Sequence, residues 1–280
     1  MSTPFELRRP AHLSSPLIVS IPHCGVEVPS EVARGFASAA VANLPDTDWH
    51  LGRLYAFAEA LGAATLSARY SRYVVDLNRP LDAAPLYPGR FETGLLPLQT
   101  FTGEAIYRRG RAPDEAERAR RVEAYYRPYH DALQALLDEA RAQFGYALLF
   151  EAHSIPSELP LLFEGRLPDA VVGDAQGRSA HPALSEALCA ALRGGEEGSV
   201  ALKVARNHPF KGGWNTRHYG RPSEGVHALQ LELSQRGYMI EGPPFRYDSR
   251  RAEALIPILR RALQALLEVG ARQLAPSGGP

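Results

Sequence analysis

Two histidines and a glutamate occupy equivalent places in three separate stretches of this chain. His23 follows the apolar run Leu17-Ile18-Val19-Ser20-Ile21 and Pro22. His153 follows the run Tyr146-Ala147-Leu148-Leu149-Phe150, with Glu151 and Ala152 between. Glu232 closes the run Val226-His227-Ala228-Leu229-Gln230-Leu231. Each run reads as a buried strand, and in open α/β sheets ligands bind beyond the carboxyl ends of strands. Two imidazoles and a carboxylate converging there fit a catalytic zinc site, with three N or O ligands and an open position for water. A further free carboxylate must lie nearby to take that water's proton. No short metal motif such as HExxH occurs. An isolated histidine is more often a structural hydrogen-bonding group, and His12, His130, His181 and His208 are read in that way. His50 is read the same way, inside the first turn of an expected helix.

Several elements must position these residues. Residues 17–21 are an expected strand. Pro45-Asp46-Thr47-Asp48 reads as a helix start, capped by Asp46 or Asp48, with Leu51, Leu54, Tyr55, Ala58 and Leu61 at helical spacing and Gly62 as the stop. Residues 63–67 and 72–77 read as two further strands. The Pro-, Gly- and Thr-rich stretch 81–111 is a long loop, of a kind that is usually functional or disordered. Residues 114–144 read as helical, with Pro128 demanding a kink or break. Strands are expected over 146–151 and 199–204, and helices over 181–193 and about 250–267. In residues 226–233, Leu229, Leu231 and Leu233 share one strand face, while Ala228, Gln230 and Glu232 share the other. Glu232 therefore projects away from the leucine face. Strands alternating with helices predict one α/β domain over residues 1–270, with a mixed, mostly parallel sheet flanked by helices on both faces. Residues 271–280 are expected to be a disordered tail.

Composition narrows the function class. The 280 residues carry 31 basic and 31 acidic side chains, and 45% are hydrophobic. That balance argues against nucleic-acid or membrane-surface binding, which draws on clustered positive charge. Cys24 and Cys189 are the only cysteines, so no disulfide framework is expected. The start of the chain lacks a signal-peptide core, and no stretch reaches the roughly 20 apolar residues of a membrane span. A soluble, cytoplasmic protein is the expectation, and the Ala, Arg and Leu richness fits a GC-rich bacterial genome.

A series of short blocks adds specificity. They are Ser20-Ile21-Pro22-His23-Cys24-Gly25, Pro45-Asp46-Thr47-Asp48-Trp49-His50, Ser71-Arg72-Tyr73-Val74-Val75-Asp76-Leu77-Asn78-Arg79-Pro80 and Leu86-Tyr87-Pro88-Gly89. Glu151-Ala152-His153-Ser154, Phe210-Lys211-Gly212-Gly213-Trp214, Thr216-Arg217-His218-Tyr219-Gly220 and His227-Ala228-Leu229-Gln230-Leu231-Glu232-Leu233 follow. In order and content they resemble the N-formylglutamate amidohydrolase family, over roughly residues 15 to 240.

That family looks like a relative of zinc carboxypeptidases and aspartoacylase-like deacylases. The resemblance implies a zinc-exopeptidase-like fold and one zinc ion held by His23, Asp48 and His153, with Asp46 as the competing carboxylate. Glu27, four residues after His23, departs from the wider group's His-x-x-Glu pair and is not taken as a ligand. Glu232 matches the group's general base. Asn78 and Arg79 resemble the Asn-Arg pair that holds a terminal carboxylate, with Arg72, Arg217 and His218 as further substrate-binding candidates. Gly212-Gly213 suits a loop closing over a ligand. Cys24 is not read as a nucleophile, because no Cys-His-Asn pattern accompanies it.

The implied reaction is zinc-dependent hydrolysis of N-formyl-L-glutamate to formate and L-glutamate, as in histidine degradation. The alternatives are zinc-dependent deacylation of another N-acyl amino acid, a carboxypeptidase-like activity, or a catalytically dead binding homologue. The last is disfavoured, because no candidate metal or base position carries an inert residue.

Overall fold

The computed structural model describes residues 3–86, 89–194 and 201–275. Among them seven strands form one sheet: β1 (Phe5–Arg8), β2 (Leu17–Ile21), β3 (Ala64–Ala68), β4 (Ala147–Ile155), β5 (Ala170–Gly173), β6 (Val204–Arg206) and β7 (Val226–Ser234). Their spatial order is β1-β3-β2-β4-β7-β5-β6. The central four, β3, β2, β4 and β7, run parallel. β1 pairs antiparallel with β3, and β5 pairs antiparallel with β7. The sheet is thus mixed and mostly parallel, as expected.

Every residue of β2, β4 and β7 is buried, which follows from helices covering both faces of a parallel sheet. The helices are α1 (Ser30–Ala33), α2 (Ala39–Ala42), α3 (Leu51–Leu54), α4 (Glu115–Arg121), α5 (Arg127–Phe144), α6 (Pro182–Arg193), α7 (Trp214–Tyr219) and α8 (Ser249–Gln273). On one face Leu229, Leu231 and Leu233 pack with Leu188 of α6 and Leu259 and Leu263 of α8. On the other, Ile18, Leu149 and Ala228 pack with Leu133 and Leu137 of α5. Each such leucine or isoleucine contributes about 1.5–3 kcal/mol by leaving water. No described helix is long and apolar enough to cross a membrane.

Four boundaries differ from the sequence expectation. Residues 72–77 are not a strand. Val74 N–H closes a turn onto Ser71 O, and Asp76 N–H bonds Leu95 O instead of a sheet neighbour. Tyr73 faces one apolar cluster while Val75 and Leu77 face another, so their hydrophobicity reflects burial in a loop. Neither Asp46 nor Asp48 caps the helix that follows. The cap position of α3 is His50, at φ 62°, and the chain continues as a 3-10 turn from Ala56 to Leu61 before stopping at Gly62. α8 runs on to Gln273, three residues into the expected tail, while residues 276–280 lie outside the described residues. β6 begins at Val204, where the expected strand ended, and residues 199 and 200 lie outside the described residues. The short strands β1 and β5 were not anticipated.

Pro128 acts as its chemistry requires. A proline lacks the N–H that would bond the carbonyl four residues back. The helix widens into a π-helical turn from Val122 to Tyr126, and α5 restarts at Arg127. Its first turns carry His130, buried, with Nδ1 2.8 Å from Tyr219 Oη. Burial pushes this imidazole down to about 3 from 6.5. The unfolded chain then binds a proton below pH 6.5 that the folded chain refuses, so stability falls as pH drops from 6.5 toward 3. At pH 5 the expected loss from this residue is about 2 kcal/mol. Urea unfolding at pH 7.5 and 5 checks this: His130→Gln should flatten the pH dependence, and an unchanged slope would exclude His130 as its source.

Candidate active site

β2, β4 and β7 are neighbours, so their carboxyl ends open onto one place, and His153 and Glu232 are direct partners in the β4–β7 register. Both project on the α5 side of the sheet, away from the leucine face. His23 lies just past β2, and its carbonyl accepts the Asp48 main-chain N–H at 3.0 Å. That bond brings the residue 45–50 loop over the strand ends. Asp48 Oδ2 lies 3.1 Å from His153 Nδ1 and 3.8 Å from His23 Nδ1. The ligand atoms of His23, Asp48 and His153 all lie within 4.8 Å of one another, and all three residues are buried. Asp46 points elsewhere. Its Oδ2 accepts the Phe101 N–H at 3.0 Å, and burial pushes it up to about 6.

An outer layer fixes the imidazoles. Asp76 Oδ1 lies 2.7 Å from His23 Nε2, which leaves Nδ1 facing Asp48. Burial opposes ionisation of Asp76, yet the Arg72 guanidinium 2.7 Å away, with His23, holds it well below the usual carboxylate range. His153 Nε2 lies 3.2 Å from Asn78 Nδ2 and 3.5 Å from Glu151 Oε2. The Asn215 N–H donates to Asn78 Oδ1 at 2.8 Å, so the amide turns its NH2 to the ring. When His153 Nδ1 is the ligand atom, Nε2 carries the ring proton and Glu151 is its acceptor, so the Asn78 NH2 beside it is then a packing neighbour and not a hydrogen-bond partner. Such carboxylate–histidine pairs set ligand tautomer and orientation in metal sites.

The charge balance fits a cation. Burial and the Arg72 charge push His23 down, so it is neutral, the form that ligates. Burial would also lower His153, but Asp48 and Glu151 raise it to about 10. A proton is therefore held among Asp48, Glu151 and Glu232 at the place a metal ion would neutralise. Burial raises Glu232 to about 8, and the nearby Asp48 charge adds to the rise.

The substrate-binding candidates separate. Arg72, Asn78 and Arg79 line the cavity beside His23, Asp48, His153 and Glu232. Arg72 stacks on Phe101, with its guanidinium carbon 4.7 Å from the ring centroid. Arg79 Nε and Nη2 donate to Thr93 O and Oγ1 at 2.6 and 3.2 Å. Arg217 and His218 do not line this cavity. Arg217 donates to Gly212 O and Leu86 O, both at 2.9 Å. His218 is exposed on α7 and stacks on Trp214 at 4.3 Å. α7 turns its buried Asn215 toward the sheet, and these two residues fall on its outer side. Cys24 also lies outside the cavity, and burial pushes its thiol up to about 12, far from a nucleophile's range.

Asp76, Glu151 and Gln230 were given no role from sequence. Their signal was a lone polar side chain inside an apolar run, since a buried charge needs partners. The glycine pair does have a role in packing. A Cβ on Gly213 would lie 2.3 Å from Asn78 Nδ2, and Gly212 sits at φ +107°. Gly213→Ala should push Asn78 off His153 and destabilise the protein by about 1–3 kcal/mol, with turnover also falling. Denaturant unfolding and turnover of the variant check this, and wild-type values for both would show that the loop yields freely.

A model of the N-formylglutamate amidohydrolase family matches residues 15–239. The chain belongs to that family. It is 47% identical over 261 residues to an N-formylglutamate deformylase of Pseudomonas putida, covering 92% of this chain and 94% of that one. It is 48% identical over 263 residues to an N-formylglutamate deformylase of Pseudomonas aeruginosa, covering 93% and 96%. The crystal structure of N-formylglutamate amidohydrolase from Ralstonia eutropha JMP134 superposes with a TM-score of 0.78 at 30% identity, covering 96% of this chain and 100% of that one. A gene product of Agrobacterium tumefaciens shares the fold, with a TM-score of 0.70 at 20% identity over 96% of each chain. His23, Asp48, Asp76, His153 and Glu232 all fall inside the span matched by the family.

Proposed function

We propose that this family member hydrolyses N-formyl-L-glutamate to L-glutamate and formate in the cytoplasm, as a step of histidine degradation, with one zinc ion held by His23, Asp48 and His153. The observation that carries the proposal is the buried His23, Asp48 and His153 group with Glu232 beside it in one cavity, in a chain whose relatives are named for deformylation. Two imidazoles and a carboxylate without sulfur are the donor set of a catalytic zinc. A divalent ion there would acidify a water and polarise the formyl carbonyl.

The chain's own groups supply the rest. Glu232 takes the proton of the attacking water and passes it to the amine nitrogen as the C–N bond breaks, releasing formate. It is 7% exposed and reaches the cavity from β7, so the proton moves within a site largely closed to bulk water. Arg72 and Arg79 face the carboxylates of the substrate and, with the metal, oppose the charge that develops on the formyl oxygen. Asn78 adds a polar contact from the same wall.

Comparing kcat/KM for N-formyl-L-glutamate, N-formyl-L-aspartate, N-acetyl-L-glutamate and an uncharged N-formyl amino acid tests the substrate. A site built to pair a carboxylate should reject the uncharged analogue by about 10⁴ or more. A preference for the acetyl compound would move the assignment to another deacylation.

The outer carboxylate offers a separate test of the metal. Asp76→Ala should weaken metal affinity by about 10–100-fold, read by competition with a chromogenic chelator. Unchanged affinity would show that His23 needs no partner.

A further inference from the structure

Gln230 sits between two groups that fix its amide. Its Oε1 accepts the Gly213 main-chain N–H at 2.7 Å, and its Nε2 donates to Glu232 Oε2 at 3.3 Å. A main-chain N–H can only donate, so the amide oxygen must face Gly213 and the nitrogen must face Glu232. The orientation left open for many amides is therefore settled by the network. Gln230 is 5% exposed, two residues before Glu232 on the same strand face, and it lines the cavity. Both ends of its amide are thus engaged, one by the loop and one by the carboxylate.

The Gly213 end extends this link. Gly213 packs directly on Asn78, close enough that a Cβ would collide with it, and Asn78 lies 3.2 Å from His153 Nε2. His153 and Glu232 are register partners on adjacent strands. Glu232, Gln230, Gly213, Asn78 and His153 thus form a closed ring that ties the carboxylate to an imidazole across the sheet.

From this geometry we infer that Gln230 is a positioning residue for the hydrolysis: its amide N–H holds Glu232 Oε2, so that Oε1 is presented to the reacting water. The inference rests on the reading of Glu232 as the base. A glutamate has three side-chain torsions, and a displacement of about 1 Å in a reacting group can cost on the order of 10²-fold in rate. The 3.3 Å separation is long for a hydrogen bond, as catalytic contacts often are before substrate binds.

The test is a double-mutant cycle on the metal-loaded enzyme, with Gln230→Met, Glu232→Gln and the combined variant. Metal content and Tm are measured for each. Gln230→Met should lower kcat by about 10–100-fold with KM nearly unchanged. In the Glu232→Gln background the same change should cost less than about twofold, because a positioning residue has nothing left to position. Equal losses in both backgrounds would overturn the inference and leave the base intact. Full activity of Glu232→Gln alone would instead overturn the base, and the inference with it. Gln230→Asn guards against a folding defect, since it keeps a buried neutral amide but is one methylene too short to reach Gly213 N–H and Glu232 Oε2 at once. It should lower kcat as Gln230→Met does, and wild-type kcat in this variant would contradict the positioning role.

Discussion

Glu232→Gln is expected to lower kcat by about 10²–10⁴-fold, the usual contribution of a positioned acid–base group, while metal content and KM change little. The amide has nearly the same size and can still meet Gln230, so packing at the end of β7 is kept. It cannot take a proton from water or return one to the leaving amine. Glu232 is not part of the His23, Asp48 and His153 group, so that group survives the change. The assay is formate release at saturating substrate, alongside metal analysis of the purified variant. Loss of metal together with activity would place Glu232 among the ligands. Turnover within a few-fold of wild type would mean that another group moves the proton.

The second large effect is on stability. Arg72→Met is expected to destabilise the fold by about 3–5 kcal/mol, the usual result of removing one partner from a buried ion pair. Arg72 is 5% exposed, and Asp76, its partner at 2.7 Å, is fully buried. The charges of Asp48 and Asp46 also act on the guanidinium. Without it, Asp76 keeps the His23 ring, the Asn78 N–H and the weaker field of the Arg79 charge. Arg72→Lys should fall between, because an ammonium keeps the charge but loses the planar fork. Urea unfolding of the three proteins at pH 7.5 measures the differences. A loss below about 1 kcal/mol, as for an exposed pair, would show that Asp76 has another counter-charge.

Much of this arrangement was legible in the sequence because burial and period leave clear marks. Residues 17–21 and 146–151 are nearly all apolar, and 226–233 alternates. These are the strands that meet at the site, which is why His23, His153 and Glu232 stood out. The chain hid what depends on contacts between distant segments. Asp48 looks like a helix cap, because a cap and a ligand are the same residue type before a helix. In the fold its Oδ2 meets the Ser154 N–H and His153 across more than a hundred residues. Asp76 and Glu151 were visible as lone acids in apolar runs, but which histidine each serves depends on how loop and strand come together. Arg217 and His218 show how local rotation decides what a motif presents. Their motif is specific, yet the rotation of α7 places Asn215 inward and carries these two away from the cavity. The run 72–77 reads as a strand only because it is buried.

The most direct test of the proposed metal-dependent deformylation is formate release from N-formyl-L-glutamate before chelation, after chelation, and after zinc is restored. Release that disappears with the chelator and returns with stoichiometric zinc is the expected result. Release that persists in protein shown by metal analysis to be metal-free would contradict the role given to His23, Asp48 and His153.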